Sequence, residues 1–365
     1  MKREWSVRAY KEGDENKIFE LMKAVYQEKN FFREKWLRWW KWMFTENPAG
    51  TARIWLAEHD GKIVGQYPMI LADIKVGTEI AKVSQNIELM THPDYRHQGM
   101  FLTLEKKALE EAEKEGINIT IGFPNNAAYP GHIKTGWFDI SLLQIGSKPL
   151  HLERIIKTTI KNRFLKTIYI VFGNLIIHLF YREKKTPESD GLIISRITSF
   201  DDCIDDFWKK ISNDYEIVII RNKKYLNWRY VNVPDVDYTI YVAREKGEIC
   251  GYIVLRCVDE KDIKSGSIFE VFAPLDRPDI TSSLLSKAEE YFKSQDADLM
   301  FCLMIADKRL CKIFRKKGFI FSNFLISRFM EGGQFCAYTS HPNIPKTFFM
   351  NKKNWFIQLG DSDSI

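Results

Sequence analysis

The chain has 365 residues, 45% hydrophobic and 28% charged, with a formal net charge of +6. That length exceeds what one core usually sustains, and the apolar content can fill two domains of about 150 to 180 residues. A modest positive excess suits phosphates or an anionic surface, and without an arginine-rich arm or an RNA-binding signature it argues against nucleic acid. Six cysteines, Cys203, Cys250, Cys257, Cys302, Cys311 and Cys336, lie in the second half without a C-x-x-C pair. Reduced thiols in a cytoplasmic protein are expected. The seven histidines show no H-E-x-x-H spacing, so no metal is expected. The start, Met1 to Trp5, carries no hydrophobic signal region.

In chain order, Trp36, Trp39, Trp40, Trp42 and Phe44 have helix-compatible spacing. They read as a helix packed on a sheet, with a tryptophan over an acceptor pocket as the alternative. Val83, Gln85, Ile87 and Leu89 then alternate with Ser84, Asn86, Glu88 and Met90, the period-two pattern of a half-buried strand. Arg96-His97-Gln98-Gly99-Met100-Phe101 follows, and after it Phe101, Leu104, Ala108 and Ala112 mark one face of a helix that stops near Gly116. A glycine at such a junction lets the backbone approach a ligand, and the first amides of the helix offer hydrogen bonds to a phosphate. Ile117, Ile119, Ile121 and Phe123 alternate in a second strand, which leads into Asn125 to Trp137.

The Arg96 to Phe101 turn resembles the Q/R-x-x-G-x-G/A signature of the GNAT acyltransferase superfamily. Arg96 and Gly99 match it, while Phe101 stands where Gly or Ala is usual. Asn125, Ala128, Gly136 and Trp137 fit the superfamily's second cofactor segment, with His132 at the position of its tyrosine. The resemblance implies that Arg96, His97, Gln98, Gly99, Met100 and Phe101 wrap the pyrophosphate of acetyl-CoA. It further implies that Leu89, Met90 and Thr91, with Asn125 and Ala128, hold the pantetheine arm. Glu88 matches the carboxylate that takes the amine proton, against an ion-paired strand residue as the ordinary use. His132 or Tyr129 is the acid for the departing thiolate. His92 and His97 flank the turn as solvent-exposed residues, and Asn125 is alternatively a helix cap.

From 164 to 181 the chain is almost continuously apolar between basic flanks, read as a packed connecting helix or a helix lying on a membrane surface. A repeat spans it. Trp42, Phe44, Pro48, Trp55, Ala57, Gly61, Ile63 and Gly65 recur 186 positions later as Trp228, Tyr230, Pro234, Tyr241, Ala243, Gly247, Ile249 and Gly251. Further on the displacement is 182, pairing Glu88 with Glu270 and Gly136 with Gly318. Pro278 to Ser283, opposite the glycine turn, has no glycine and an added carboxylate, so that copy should bind no CoA. The tail to Asp363 reads as a frayed acidic end.

The expected fold is α/β (α+β): two GNAT-like domains, each a mostly antiparallel twisted sheet flanked by helices. Residues 1–150 form the acyl-CoA domain, 151–190 a connecting helix and linker, and 191–365 a degenerate second domain. The implied activity is acetyl transfer to a primary amine of a small molecule or amino sugar. A FemAB-like aminoacyl transferase and a non-catalytic CoA-binding module are the alternatives; the oligomeric state is not legible.

Overall fold

The computed structural model describes residues 4–27, 32–159, 191–260, 263–305, 308–322 and 333–362. The apolar run at 164–181 lies outside them. Among the described residues no helix is long and apolar enough to cross a membrane.

Strands β1 (Ser6–Ala9), β2 (Arg53–His59), β3 (Lys62–Val76) and β4 (Glu79–Asn86) pair antiparallel in that order, with helices α1 (Glu15–Tyr26) and α2 (Arg33–Phe44) inserted between β1 and β2. Then come β5 (Met90–Thr91), α3 (Met100–Lys114), β6 (Ile119–Gly122), α4 (Tyr129–Lys134), β7 (Phe138–Leu142), β8 (Gln144–Pro149) and α5 (Leu152–Thr159). The second half contributes β9 (Leu192–Ile197), α6 (Cys203–Ile211), β10 (Ile217–Ile219), α7 (Lys223–Tyr230), β11 (Thr239–Glu245), β12 (Glu248–Glu260), β13 (Ile263–Phe272) and α8 (Pro278–Ser294). It closes with β14 (Leu299–Ile305), α9 (Lys308–Lys316), β15 (Ile320–Ser322), β16 (Gln334–Thr339), α10 (Lys346–Met350) and β17 (Ile357–Gln358).

These strands make two mixed, mostly antiparallel sheets, ordered β1-β2-β3-β4-β6-β16-β7 and β15-β8-β14-β13-β12-β11-β9. The halves exchange strands. β8, from the first 150 residues, lies between β15 and β14, and β16 lies between β6 and β7. β10 also pairs with β3, Ile219 opposite Ile74. A boundary drawn at 150 or 190 therefore does not follow sheet membership.

The sequence repeat has a geometric counterpart. Trp42 Nε1 donates to the Trp228 carbonyl at 2.9 Å and Trp228 Nε1 to the Trp42 carbonyl at 3.0 Å, with the rings stacked at 5.0 Å. Each indole buries a large apolar area and still satisfies its one donor, so this pair fastens α2 to α7. Strand register repeats too: the pairs Gln66–Met90 and Met69–Asn86 recur as Tyr252–Phe272 and Leu255–Ile268.

Two expectations are corrected here. Residues 83–87 are all buried instead of alternating, because Val83 packs into the core shared with the second half while Asn86, next but two along and on the other face, bonds His132 of α4. Polar Ser84 is accommodated by a 2.9 Å bond to Thr120. The tail is also not frayed as far as Ser362; Asp363 lies outside the described residues. Asp361 is 3% exposed and takes two bonds from Arg221 Nη2, at 2.6 and 2.8 Å, and Arg221 Nε reaches Glu270 at 3.0 Å. A buried guanidinium between two carboxylates holds Asp361 in the core.

Candidate active site

The helix α3 begins where the sequence indicates and ends in a Schellman turn, with Ile117 N bonded to Ala112 O (2.9 Å) and Gly116 N to Glu113 O (2.9 Å). At its start, His97 has φ +61° and Gly99 has φ +79°, so the chain swings through the left-handed region twice before the helix. The helix ladder begins with Thr103 N on Gly99 O, 3.1 Å, which leaves the amides of Met100, Phe101 and Leu102 ahead of it. Arg96 is exposed beside them, anchored by Nε to the Thr91 carbonyl at 3.4 Å.

Strand β4 stops at Asn86 and β5 starts at Met90; Ile87 N still bonds the Pro68 carbonyl of β3 at 3.2 Å, and the ladder is broken at Glu88 and Leu89. Glu88 has φ +50°, and its carbonyl accepts from Gln66 Nε2 at 2.8 Å. No described residue bonds the main-chain amide or carbonyl of Leu89. β4 and β6 pair at Ser84–Thr120 and Gln85–Ile121 and then part. Between them and the start of α3 runs a cleft of about 730 Å³.

Of the residues singled out from sequence, Glu88, Leu89, Thr91, Arg96, His97, Gly99, Met100, Phe101, Asn125, Ala128 and His132 line this cleft. Met90 does not; it is 4% exposed and packs in the core around α2. Gln98 turns back on its own turn, with Nε2 on the Asp94 carbonyl at 3.3 Å. Tyr129 is directed elsewhere, its hydroxyl donating to Asp139 at 2.6 Å, a bond that pushes its pKa up to about 12. Asn125 Oδ1 caps the next turn through the amides of Ala127 (3.1 Å) and Ala128 (2.9 Å). Phe101 is accommodated because Gly131 faces its ring, which meets His132 edge-on at 5.2 Å.

His132 is fully buried at the cleft's inner end. Its Nδ1 bonds Glu105, and its Nε2 stands 3.1 Å from Asn86 Nδ2. Tyr67 donates to the same Glu105 at 3.0 Å, and burial with that carboxylate holds the Tyr67 phenol well above its usual pKa. Tyr26 brings its hydroxyl 3.5 Å from Glu88 Oε2 at the cleft mouth. Tyr26, Tyr67, Asn86 and Glu105 escaped the sequence reading. Glu105 alone left a signal there, a carboxylate four residues beyond Phe101 beside the apolar face of α3.

In the second sheet the matching step is closed by the tail. Val271, the position matching Leu89 at displacement 182, has both main-chain groups taken by the Gln358 side chain: Val271 N donates to Oε1 at 3.0 Å and Nε2 donates to Val271 O at 2.9 Å.

Residues 6–138 match the family described as acetyltransferase (GNAT) domain. An uncharacterized N-acetyltransferase of Methanocaldococcus jannaschii is 27% identical over 142 residues, which span 36% of this chain and 60% of that relative. Two bacterial structures share the fold at 12% identity. A probable N-acyltransferase from Enterococcus faecalis has TM-score 0.64, covering 92% of this chain and 73% of its own. A GCN5-related N-acetyltransferase from Anabaena variabilis has TM-score 0.63, with 92% and 72% covered. Saccharomyces cerevisiae N-myristoyltransferase with bound myristoyl-CoA, also 12% identical, has TM-score 0.54 with 92% and 79% covered. Residues 6–138 thus carry a GNAT acetyltransferase domain, and the 142 residues matched to the archaeal relative span less than two thirds of that relative's length.

Proposed function

We propose that the protein transfers an acyl group, acetyl in the first instance, from CoA to a primary amine by direct attack, in the cytoplasm. The observation that carries this reading is the junction of β5 and α3, where left-handed His97 and Gly99 turn the amides of Met100, Phe101 and Leu102 toward a cleft that Arg96 flanks. An anion at a helix start with an adjacent guanidinium is doubly stabilised. The cleft suits CoA further along, since the Leu89 peptide groups have no described partner and can pair an extended pantetheine arm as a neighbouring strand would.

Bound acyl-CoA supplies the thioester carbonyl and a thiolate leaving group. The chain's own residues handle the protons. Glu88, the one carboxylate among the described lining residues, receives the proton of an incoming ammonium directly or through water. His132 is the proton donor to the departing sulfur, and Tyr129, committed to Asp139, is not needed for it. The acceptor is a small-molecule or amino-sugar amine entering past Tyr26 and Glu88. The second half, with its matching register and tail-filled groove, serves as a degenerate partner that completes the first sheet through β16.

Isothermal titration with acetyl-CoA, beside a Gly99→Trp control, tests the reading. One-site micromolar binding lost in the control supports it. No binding by the unaltered protein refutes it and turns attention to aminoacyl transfer or a regulatory binding role.

A further inference from the structure

We infer that Glu105 is a positioning residue for proton delivery, holding His132 in one tautomer and balancing its charge; the inference rests on the acyl-transfer reading of the cleft. Glu105 is fully buried on the inner face of α3. One carboxylate oxygen accepts from Tyr67 at 3.0 Å and from His132 Nδ1, and the other accepts from Thr135 Oγ1 at 2.6 Å. No lysine or arginine among the described residues pairs with it, and His132 is the basic side chain it bonds. The aromatic rings of Phe101 and Trp137 enclose the imidazole at 5.2 and 4.5 Å. An isolated buried carboxylate is costly, and an imidazole locked to it at the wall of a cleft is an arrangement that packing alone does not call for.

The far side of the imidazole fixes the direction of proton movement. With Nδ1–H donated to Glu105, Nε2 of the neutral ring accepts from Asn86 Nδ2 at 3.1 Å. That leaves Asn86 Oδ1 buried without a partner, lying against Gly122. Turning the amide over would place Oδ1 on Nε2, the orientation an imidazolium requires. Asn86 and Gly122 stand one step beyond the last β4–β6 pair, where the strands part. Both protonation states of His132 are thus provided for at that point. In the transfer step the Nε2–H bond of the imidazolium breaks and the S–H bond of CoA forms. The ring returns to its neutral tautomer, and Glu105 remains a carboxylate throughout.

The test is titration of the CoA thiol in the binary complex, followed by thiolate absorbance. A charge-balanced imidazolium near the sulfur lowers that thiol by about one pH unit relative to free CoA. Glu105→Gln is expected to remove most of that shift while CoA affinity stays within about twofold, and Glu105→Asp to restore part of it. Unaltered protein gives a second readout through the imidazole nitrogens by NMR, where the neutral ring should carry its proton on Nδ1. An unshifted thiol in the wild type, an equal shift in Glu105→Gln, or a neutral ring carrying its proton on Nε2 instead of Nδ1 each overturns the inference while leaving CoA binding intact. Absence of CoA binding overturns the acyl-transfer reading and this inference together.

Discussion

Two substitutions at Gly99 separate the shape of the phosphate turn from its accessibility. A Cβ built at Gly99 meets no atom within 4 Å, while φ is +79°. Alanine therefore fits the space and pays only for left-handed backbone, about 1–2 kcal/mol. That strain is present with and without ligand, so Gly99→Ala should lower stability and leave CoA affinity within about threefold. In Gly99→Trp the indole enters the open space before the amides of Met100 and Phe101. Loss of two charge-assisted hydrogen bonds, at about 1.5 kcal/mol each, weakens binding by about 3 kcal/mol, or roughly 150-fold in Kd. Calorimetric titration of both variants with acetyl-CoA, paired with thermal unfolding, makes the comparison. A Gly99→Trp affinity within threefold of the wild type refutes the assignment of this turn as the pyrophosphate site.

Glu88→Gln should slow transfer about 10²-fold with CoA affinity preserved, measured as turnover on an amine found by acceptor screening; unchanged turnover excludes a required base at that position. In Gly131→Ala the new Cβ would lie 2.4 Å from Phe101 Cε1 and 2.8 Å from Cδ1, in a ring already held by His132 and Tyr67. Overpacking should cost about 1–3 kcal/mol in urea unfolding, offset in part by alanine's helix propensity of about 1 kcal/mol, and Phe101→Ala should relieve it. If Gly131→Ala is as stable in either background, Phe101 is not wedged as described. Arg8 bonds Asp14 at 2.6 and 2.9 Å and also bonds Glu58, which depresses both carboxyls from their ordinary 3.8 and 4.5. A depressed folded-state pKa contributes stability above the unfolded value and loses it as pH falls through the folded one, so stability should decline below about pH 4.5. Arg8→Met should flatten that acid limb, and parallel curves for the two proteins would remove Arg8 as its cause.

Local chemistry made the glycine turn and α3 legible: a glycine at a left-handed junction, a periodic apolar face and Gly116 at the helix end. Each of these depends on residues within about one helix of each other. The strand before them was recognisable but its burial was not, because alternation signals one covered face and this strand has two. Asp361 looked frayed for a related reason. Its partner Arg221 lies 140 positions earlier, and nothing in the tail announces a buried guanidinium. Exchange of β8 and β16 between sheets is likewise a property of pairing across about 200 residues. Glu105 was visible on α3, yet its role emerges only when Tyr67, Asn86 and His132 converge on it from three other elements.

The matched glutamates show why position alone could not decide function. Glu88 and Glu270 match at a displacement of 182, but Glu270 pairs with Val254 within its sheet whereas Glu88 lies between β4 and β5. Glu270 is 1% exposed and held by three donors, accepting from Tyr230 at 2.6 Å, Arg221 at 3.0 Å and Tyr252. Burial keeps it from any substrate at the surface. Glu88 sits half-buried at a break between β4 and β5, next to a Leu89 peptide that nothing described engages. In the second sheet the strand runs on past the same step, and the Gln358 amide fills the place a ligand's amide would take beside Val271. The inequality between the halves therefore lies less in the strands than in what occupies them. In one sheet the tail closes the groove, and in the other the groove stays open.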